Sequence, residues 1–248
     1  MSFCEHCVKG VIHEGTPKGK FEKIGGVDTY VATPTVDYPK DKAILFLTDV
    51  FGPQLINAQL MADGFAENGF KTFVPDYLNG DPIPPDALNP GSDFDIMKWF
   101  PGHTQGKTRP PLDKVINALK EQGITTFGAT GYCFGGRYVF DLAFDNVIKA
   151  GVVAHPSLLQ VPADLEKYVA SAKAPLLINS CPVDSQFPPE SAAKADEILG
   201  KFAPGYKRNH YEGCTHGFAV RGDMSDPKVK AGKEGAFTET VEWFIHKL

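Results

Sequence analysis

The residues with the clearest chemical potential lie in a short glycine-rich segment, Gly131–Gly136, which has Cys133 near its centre. An apolar run precedes this segment and a helical pattern follows it, so it turns a strand into a helix. Glycines on both sides of Cys133 allow a turn so tight that the thiol is pushed out at the carboxyl end of the strand. The helix N-terminus favours a thiolate there, and the amide of Phe134 can donate to an oxyanion. The segment predicts a nucleophile elbow, with a buried structural cysteine as the alternative.

A nucleophile in such a turn needs a base, and an acid that orients the base. In chain order these follow as nucleophile, Asp or Glu, then His. Asp184 comes shortly after the apolar run Leu176–Asn179, and His216 lies in a glycine-flanked loop after Lys207–Tyr211. Alone, each is unremarkable, because an Asp in a Pro-containing loop usually caps a turn and a lone His is usually structural. Their order and loop positions together predict a triad with Cys133.

The elements that must position these residues are apolar β-branched runs alternating with helical periods. That pattern favours the α/β class, with a mostly parallel sheet and helices on both faces. The predicted strands are Phe21–Gly25 and Val27–Ala32 (a hairpin), Ala43–Leu47, Phe70–Val74, Thr125–Thr130, Ala150–Ala154, Leu176–Asn179 and Lys207–Tyr211. The predicted helices are Asn57–Asn68, Pro110–Gln122, a segment near Arg137–Phe144, and the amphipathic tail Lys230–Leu248.

No internal repeat or linker divides the chain, so residues 1–248 are predicted to form a single domain. The stretch Pro75–Pro111 holds eight of the twenty prolines. It is too long for a plain connection in a compact domain, so it is predicted to be a functional excursion or lid.

Four pieces of the sequence together resemble the dienelactone hydrolase (carboxymethylenebutenolidase-like) family. They are the elbow, the segment Thr48–Gly52, the loop of Asp184 and the segment Thr215–Phe218. The cysteine elbow with a downstream His-Gly-Phe is the most specific of them. The resemblance covers essentially the whole chain, from about Gly10 to the C-terminal helix.

This resemblance implies an α/β-hydrolase fold and a triad of Cys133, Asp184 and His216. It also implies an oxyanion hole formed by the backbone amides of Val50 and Phe134. No cofactor and no metal are implied.

Two features depart from the family pattern. In the bacterial lactone-cleaving members a glutamate near the nucleophile holds the proton of the resting thiol, and here Asp49 is the candidate thiol-proton partner, one methylene shorter. Those members also bind the substrate carboxylate through arginines, for which Arg221 and Arg109 are the candidates. For both arginines the alternative is a solvated surface charge.

Further candidates for substrate binding are Tyr132 beside the nucleophile, Trp99 and Phe100 in the Pro-rich excursion, and His155 at the end of a strand. An aromatic pair in an excursion is more often simple packing. His155 precedes Asp184, outside the usual order for a base, so it is a candidate for the pocket wall only.

The remaining cysteines are not accompanied in the sequence by a base, an acid or a complete set of metal ligands. The segment Cys4–Cys7 invites a zinc or redox interpretation, but no second Cys or His pair lies at finger spacing, which favours a structural segment with free thiols. Cys181 and Cys214 lie close to the predicted acid and base, where small buried thiols are the default expectation.

Composition restricts the class of protein. The 248 residues carry a net charge of −5, which argues against a nucleic-acid partner. No apolar run approaches a membrane span, and the first ten residues are not a secretory segment. Five cysteines, an odd number, then indicate free thiols in a reducing, cytoplasmic setting. We expect a monomer or homodimer acting on a small molecule.

The leading hypothesis is a cysteine-dependent hydrolase of small esters or lactones that works through an acyl-enzyme on Cys133. The alternatives are a thioesterase or prodrug-type esterase with the same triad, a non-catalytic ligand binder or thiol sensor on the same scaffold, and a metal or redox module at Cys4–Cys7.

Overall fold

The computed structural model describes residues 8–89 and 91–248, so the segment Cys4–Cys7 lies outside the described residues. Eight strands are present in this part of the chain: β1 Lys20–Ile24, β2 Val27–Ala32, β3 Lys42–Leu47, β4 Thr72–Pro75, β5 Thr126–Tyr132, β6 Ala150–Ala154, β7 Leu176–Ser180 and β8 Tyr206–His210. They form one sheet in the order β1-β2-β4-β3-β5-β6-β7-β8.

The helices of the same part of the chain lie mostly between successive strands. They are α1 Ile56–Glu67, α2 Ile96–Trp99, α3 Gln105–Glu121, α4 Phe134–Phe144, α5 Ala163–Ser171, α6 Pro189–Leu199, α7 Phe218–Arg221 and α8 Pro227–Lys247, with a 3₁₀ turn at Phe100–Gly102. Strands β3 to β8 pair in parallel, and only the β1–β2 and β2–β4 pairings are antiparallel. The carboxyl ends of β3, β5, β6, β7 and β8 therefore meet at one edge of the sheet.

Helices cover both faces of the sheet, as strand β3 illustrates. Successive strand residues point to opposite faces. Leu45 and Leu47 belong to the cluster that includes Leu112 of α3 and Val139 of α4. Phe46 belongs instead to the cluster of α1 and α8 side chains. Because β3 is buried on both sides, its sequence is a continuous apolar run and not an alternating one.

Every predicted strand is present, with ends shifted by at most two residues, and the mostly parallel α/β sheet is confirmed. Three predicted helix starts are wrong, including that of α8, which begins at Pro227 and not at Lys230. Helix α4 begins at Phe134, directly after the nucleophile, and α3 begins at Gln105, before Pro110 and Pro111. A proline inside a helix removes a backbone donor. Side chains hold this first turn of α3, because Thr108 bonds both the carbonyl of Thr104 and the hydroxyl of Tyr138.

Helices α5 and α6 were not predicted. Both are short and begin next to prolines, and each buries only three side chains, so the apolar pattern along the sequence is weak. Contacts with other elements define them. Leu165 and Tyr168 of α5 pack into the core beside Phe140 of α4.

The Pro75–Pro111 excursion is partly helical, since it contains α2, the 3₁₀ turn and the start of α3. It is tied to itself by aromatic and polar contacts. The ring of His103 stacks on Trp99 at 3.7 Å between centroids, and the Trp99 indole N–H donates to the carbonyl of Asp81 at 2.8 Å. These contacts hold the excursion together, and the edge-on contact of Trp99 with Phe134 packs it against the body of the protein. Its role as a lid stays a prediction.

A buried ion network joins α4 to α5 behind the nucleophile turn. The guanidinium of Arg137 donates through Nε to Asp141 at 3.0 Å and through Nη1 to Asp164 of α5. Arg137 and Asp164 are both buried. Removing one partner of such a network leaves an uncompensated charge in a poorly solvated place.

We expect Arg137→Ala to lower the free energy of unfolding by about 3 kcal/mol, because both aspartates lose their counter-charge. The matched control is Arg109→Ala, which removes a more exposed arginine paired with Asp113 and Asp145 and should cost about 1 kcal/mol or less. Urea unfolding of the two variants checks this. Equal losses of stability would contradict it.

Candidate active site

The nucleophile elbow is present at Cys133, between β5 and α4. Cys133 has φ 51°, in the left-handed region that L-residues rarely adopt, and it immediately precedes the first helical residue. This conformation costs about 1 kcal/mol or more and persists only where the surroundings enforce it. The turn leaves the half-buried thiol at the N-terminus of α4, where the helix dipole favours negative charge.

Two glycines after Cys133 are required by close approach. A Cβ at Gly135 would lie 2.0 Å from the carbonyl oxygen of Leu47, so the first turn of α4 sits directly on the end of β3. A Cβ at Gly136 would lie 2.6 Å from the side chain of Pro156, in the loop after β6. The nucleophile turn is thereby clamped between two neighbouring loops.

Asp184 and His216 are brought together as predicted. His216 Nδ1 lies 2.8 Å from Asp184 Oδ1, and the carboxylate is almost completely buried. The same oxygen accepts the amides of Gln186 at 2.8 Å and Phe187 at 3.0 Å. A hydrogen bond of 2.9 Å from the His216 amide to the Val183 carbonyl joins the two loops. The carboxylate therefore fixes the ring with Nδ1–H towards Asp184 and leaves Nε2 for another partner.

Electrostatics around His216 favour its charged form. Burial acts to lower the pKa of the imidazole, but the hydrogen bond to Asp184 and the contact with the Cys133 thiol outweigh it and raise the pKa to about 9. The Asp184 carboxylate and the Cys133 thiol thus both act on the His216 imidazole. An imidazolium beside the sulfur is the arrangement that supports a thiolate nucleophile.

The amides of Val50 and Phe134 are both available as donors. Neither N–H donates a hydrogen bond to another described residue. The Val50 carbonyl accepts the amide of Ile83 at 3.0 Å, and the Tyr77 hydroxyl donates to the carbonyl of Thr48, which holds the loop after β3 in place. The close approach at Gly135 brings this loop against the start of α4. An oxyanion hole built from these two amides stays a prediction.

Asp49 and Arg221 form a buried ion pair at the base of the same loop. Arg221 Nε donates to Asp49 Oδ2 at 2.8 Å, and the Phe51 amide donates to Asp49 Oδ1 at 3.0 Å. Burial raises the pKa of Asp49, and the charge of Arg221 opposes that rise. Within the described residues no hydrogen bond joins Asp49 to Cys133, and the Asp49 carboxylate is engaged by Arg221 and the Phe51 amide instead. The proposed proton-holding role of Asp49 stays a prediction.

Of the other predicted pocket residues, His155 lies nearest the triad. Its ring is fully buried and stands 5.0 Å from the ring of His216, edge to face. Burial, together with the charges of His216 and Arg221, holds the pKa of His155 well below its usual value. His155 is therefore a neutral packing partner of the triad imidazole.

The remaining candidates are divided by the fold. Trp99 and Phe100 pack edge-on against the ring of Phe134, at 6.0 and 6.4 Å between centroids, and so cover the residue after the nucleophile. Tyr132 is buried and stacks on Phe46 at 4.7 Å, so it belongs to the core on the α1 and α8 side. The structure does not bring Arg109 to the triad, because its charge is engaged by Asp113 and Asp145 at a separate surface cavity of about 460 Å³.

Ser157 was not among the residues that the sequence predicted for the site. Its hydroxyl lies 3.4 Å from the sulfur of Cys133, and its side chain is buried. The signal was present, since Ser157 follows the carboxyl end of β6, the strand that pairs with the nucleophile strand β5. A hydroxyl two residues beyond the candidate His155 carried no motif that would single it out.

Cys181 and Cys214 are buried thiols of a different character. Burial raises the pKa of Cys181 to about 12, and it also raises the pKa of Cys214. Their sulfurs point to backbone carbonyls, Cys181 to Val183 at 3.8 Å and Cys214 to Lys228 at 3.7 Å. They fit the expectation of small buried packing residues.

Among residues 8–89 and 91–248, no group of three or more His, Cys, Asp or Glu side chains could hold a metal ion. Within that same part of the chain, no helix combines the length and apolar character that crossing a bilayer requires.

The strand order, the helices on both faces and the elbow after β5 define an α/β-hydrolase. A model of the dienelactone hydrolase family matches residues 27–248, and the chain belongs to that family. It is a hydrolase similar to Hydrolase pyvD of Aspergillus violaceofuscus, with 36% identity over 98% of this chain and 96% of that protein.

One further relative supports the same family, and one solved structure shares the fold. Dienlactone hydrolase 1 of Gibberella moniliformis is 32% identical, over 96% of this chain and 91% of that protein. The crystal structure of a dienelactone hydrolase from Anabaena variabilis covers 93% of this chain and 99% of its own, with a TM-score of 0.62 at 13% identity, which shows the shared fold.

The raised pKa of His216 implies that the free energy of unfolding depends on pH. A histidine whose pKa rises from 6.5 to about 9 on folding stabilises the native state fully below pH 6.5, and this contribution is lost as the pH rises through about 9. Relative to wild type, His216→Gln should therefore lose on the order of 2 kcal/mol at low pH and progressively less at high pH.

Denaturant unfolding across this pH range measures that difference. The matched control is His246→Gln, which removes an exposed imidazole on α8. A stability difference between wild type and His216→Gln that is the same on both sides of pH 9 would contradict the assignment.

Proposed function

We propose that this hydrolase cleaves small esters or lactones through an acyl-enzyme on Cys133. The observation that carries the proposal is the hydrogen bond between His216 and the buried carboxylate of Asp184, with the Cys133 thiol at the N-terminus of α4 acting on the same imidazole. The combination provides a nucleophile, a base and an orienting acid in one place. The names of the relatives, dienlactone hydrolase among them, support the substrate class.

In the first half-reaction the Cys133 thiolate attacks the carbonyl carbon, and the carbonyl π electrons move onto oxygen. The amides of Val50 and Phe134 are proposed to hold that oxyanion. Collapse breaks the bond to the leaving oxygen, which takes the proton of the His216 imidazolium. The products are a thioester on Cys133 and an alcohol or enol.

In the second half-reaction neutral His216 takes a proton from water as the water oxygen attacks the thioester. Collapse breaks the carbon–sulfur bond and returns its electron pair to Cys133, which restores the thiolate–imidazolium pair and releases the acid. Asp184 stabilises the imidazolium each time it forms.

The thiol favours some substrates over others. A thiolate is both a good nucleophile and a good leaving group, so the tetrahedral adduct of a poor leaving group reverts and expels sulfur. Enol esters and enol lactones, whose leaving oxygen carries negative charge well, avoid this reversal, whereas amides do not. We therefore propose activated esters and enol lactones as the substrate class, and a panel that includes thioesters tests its limits.

Two variants test the machinery. We expect Cys133→Ala to lose hydrolysis of an activated ester to the background rate, because no other group can form the acyl-enzyme. We expect Asp184→Asn to lower kcat about 1000-fold, because the amide no longer enforces the productive tautomer of His216. Steady-state kinetics measure both effects.

The matched control for these variants is Cys181→Ala, which removes a buried thiol whose hydrogen bond is to a backbone carbonyl and should change kcat by about twofold or less. Mass mapping after reaction with an activated ester should place the acyl group on Cys133. An acylated residue elsewhere, or full activity in Cys133→Ala, would overturn the proposal.

A further inference from the structure

We propose that Ser157 is a further catalytic residue of this enzyme, whose hydroxyl donates a hydrogen bond to the sulfur of Cys133 when that sulfur is a thiolate. This proposal rests on the proposed function, because it assigns a partner to the same nucleophile. The observation that starts it is the 3.4 Å contact between the Ser157 Oγ and the Cys133 Sγ. Among the described residues, no other hydroxyl forms a hydrogen bond with that sulfur.

The backbone fixes the hydroxyl beside the sulfur. The amide of Ser157 donates to the carbonyl of Cys133 at 2.9 Å, and the amide of Gly136 donates to the same carbonyl at 3.0 Å. Pro156 packs so closely on Gly136 that a Cβ added at Gly136 would collide with it. The loop after β6 is therefore tied to the nucleophile turn itself, and the serine side chain has little room to point elsewhere.

Backbone conformation on both sides of Ser157 is unusual. His155 has φ 39° and Leu158 has φ 65°, both in the left-handed region, as Cys133 itself is. The other described non-glycine residues with positive φ, Asn79 and Asn146, are of a type that tolerates this region. Cys133 and Leu158, which are of less tolerant types, therefore lie together with His155 where the thiol meets the hydroxyl. Strain collected at one contact is a mark of functional positioning.

The chemistry of the two groups decides the direction of the bond. A neutral thiol is a weak donor and acceptor, but a thiolate is a charged acceptor, and hydrogen bonds to charged groups are the strong ones. Ser157 is buried, so the bond acts in a poorly solvated place. Asp49, the other expected partner of the thiol, is engaged by Arg221 and Phe51. The Ser157 hydroxyl is therefore positioned to donate a hydrogen bond to the Cys133 thiolate.

The bond matters most when the acyl-enzyme breaks down. In the thioester the sulfur is neutral and accepts weakly. As the carbon–sulfur bond breaks, its electron pair returns to sulfur, and the Ser157 O–H donates to the charge that develops there, without transferring its proton. Ser157 thus stabilises the leaving thiolate in deacylation, and it stabilises the resting thiolate between turnovers.

Two measurements on Ser157→Ala test this. One is the ultraviolet absorbance of the thiolate at neutral pH, and the other is the breakdown rate of the acyl-enzyme, followed by intact mass after a pulse of activated ester. Loss of a hydrogen bond to a charged group should lower both the thiolate-to-thiol ratio and the breakdown rate by about tenfold. Ser157→Thr, which keeps the hydroxyl, should recover most of both.

The matched control is Ser180→Ala. It removes another buried hydroxyl, one that donates to the Asn209 carbonyl at 2.9 Å and does not touch the thiol. This control should leave the thiolate absorbance and the breakdown rate unchanged even if it lowers stability. Wild-type values of both readouts in Ser157→Ala would overturn the proposal, and so would a Ser157→Thr variant that behaves like Ser157→Ala.

Failure of this proposal and failure of the proposed function give different results. If Cys133→Ala keeps ester hydrolysis, the proposed function fails, whatever Ser157→Ala does to the thiolate absorbance. If Cys133→Ala is inactive while Ser157→Ala keeps wild-type absorbance and breakdown, the nucleophile stands and only the role of Ser157 falls.

Discussion

The close approach of helix α4 to the end of strand β3 is the constraint on which the site depends. A side chain at Gly135 would collide with the Leu47 carbonyl, so a hydrogen atom is all that this position can carry. Because the helix sits there, the left-handed turn at Cys133 is enforced, the Phe134 amide faces outwards from a helix N-terminus, and the loop carrying Val50 lies against it. A single packing contact thereby sets the nucleophile and brings together the two amides proposed to receive the oxyanion.

Charge in the site is organised by burial. His216 gains enough from Asp184 and the Cys133 thiol to favour its imidazolium, while His155, a few ångströms away and fully buried, is held neutral. The two histidines are chemically identical in the sequence, and only one touches a carboxylate. Nearby, Asp49 and Arg221 neutralise each other beneath the β3 loop. In each pair the carboxylate is the buried partner, and the cation retains some exposure to solvent.

The loops that build the site leave the carboxyl ends of five parallel strands, and they are joined to each other as well as to the sheet. The Asp184 and His216 loops share a backbone bridge, and the loop of Ser157 is bonded to the carbonyl of Cys133. Such cross-links keep the reacting groups near one geometry before substrate binds. Strain at Cys133, His155 and Leu158 is tolerated because the rest of the sheet is regular and well packed.

The sequence by itself determined the sheet and the tight turn at Cys133, and it predicted the order of a triad. These follow from local causes: apolar runs of strand length, glycines beside Cys133, and Asp184 and His216 each placed after a strand. The start of α3 and the helices α5 and α6 could not be predicted from the sequence, because side-chain contacts with other elements stabilise them. Only the tertiary structure decided what the individual side chains do. It pairs Asp49 with Arg221, keeps Arg109 with its own aspartates, turns Tyr132 into the core and brings Ser157 to the thiol. The physical reason is that spacing along a chain fixes which strand end a residue occupies, whereas rotamer and partner are fixed by neighbours that are distant in sequence.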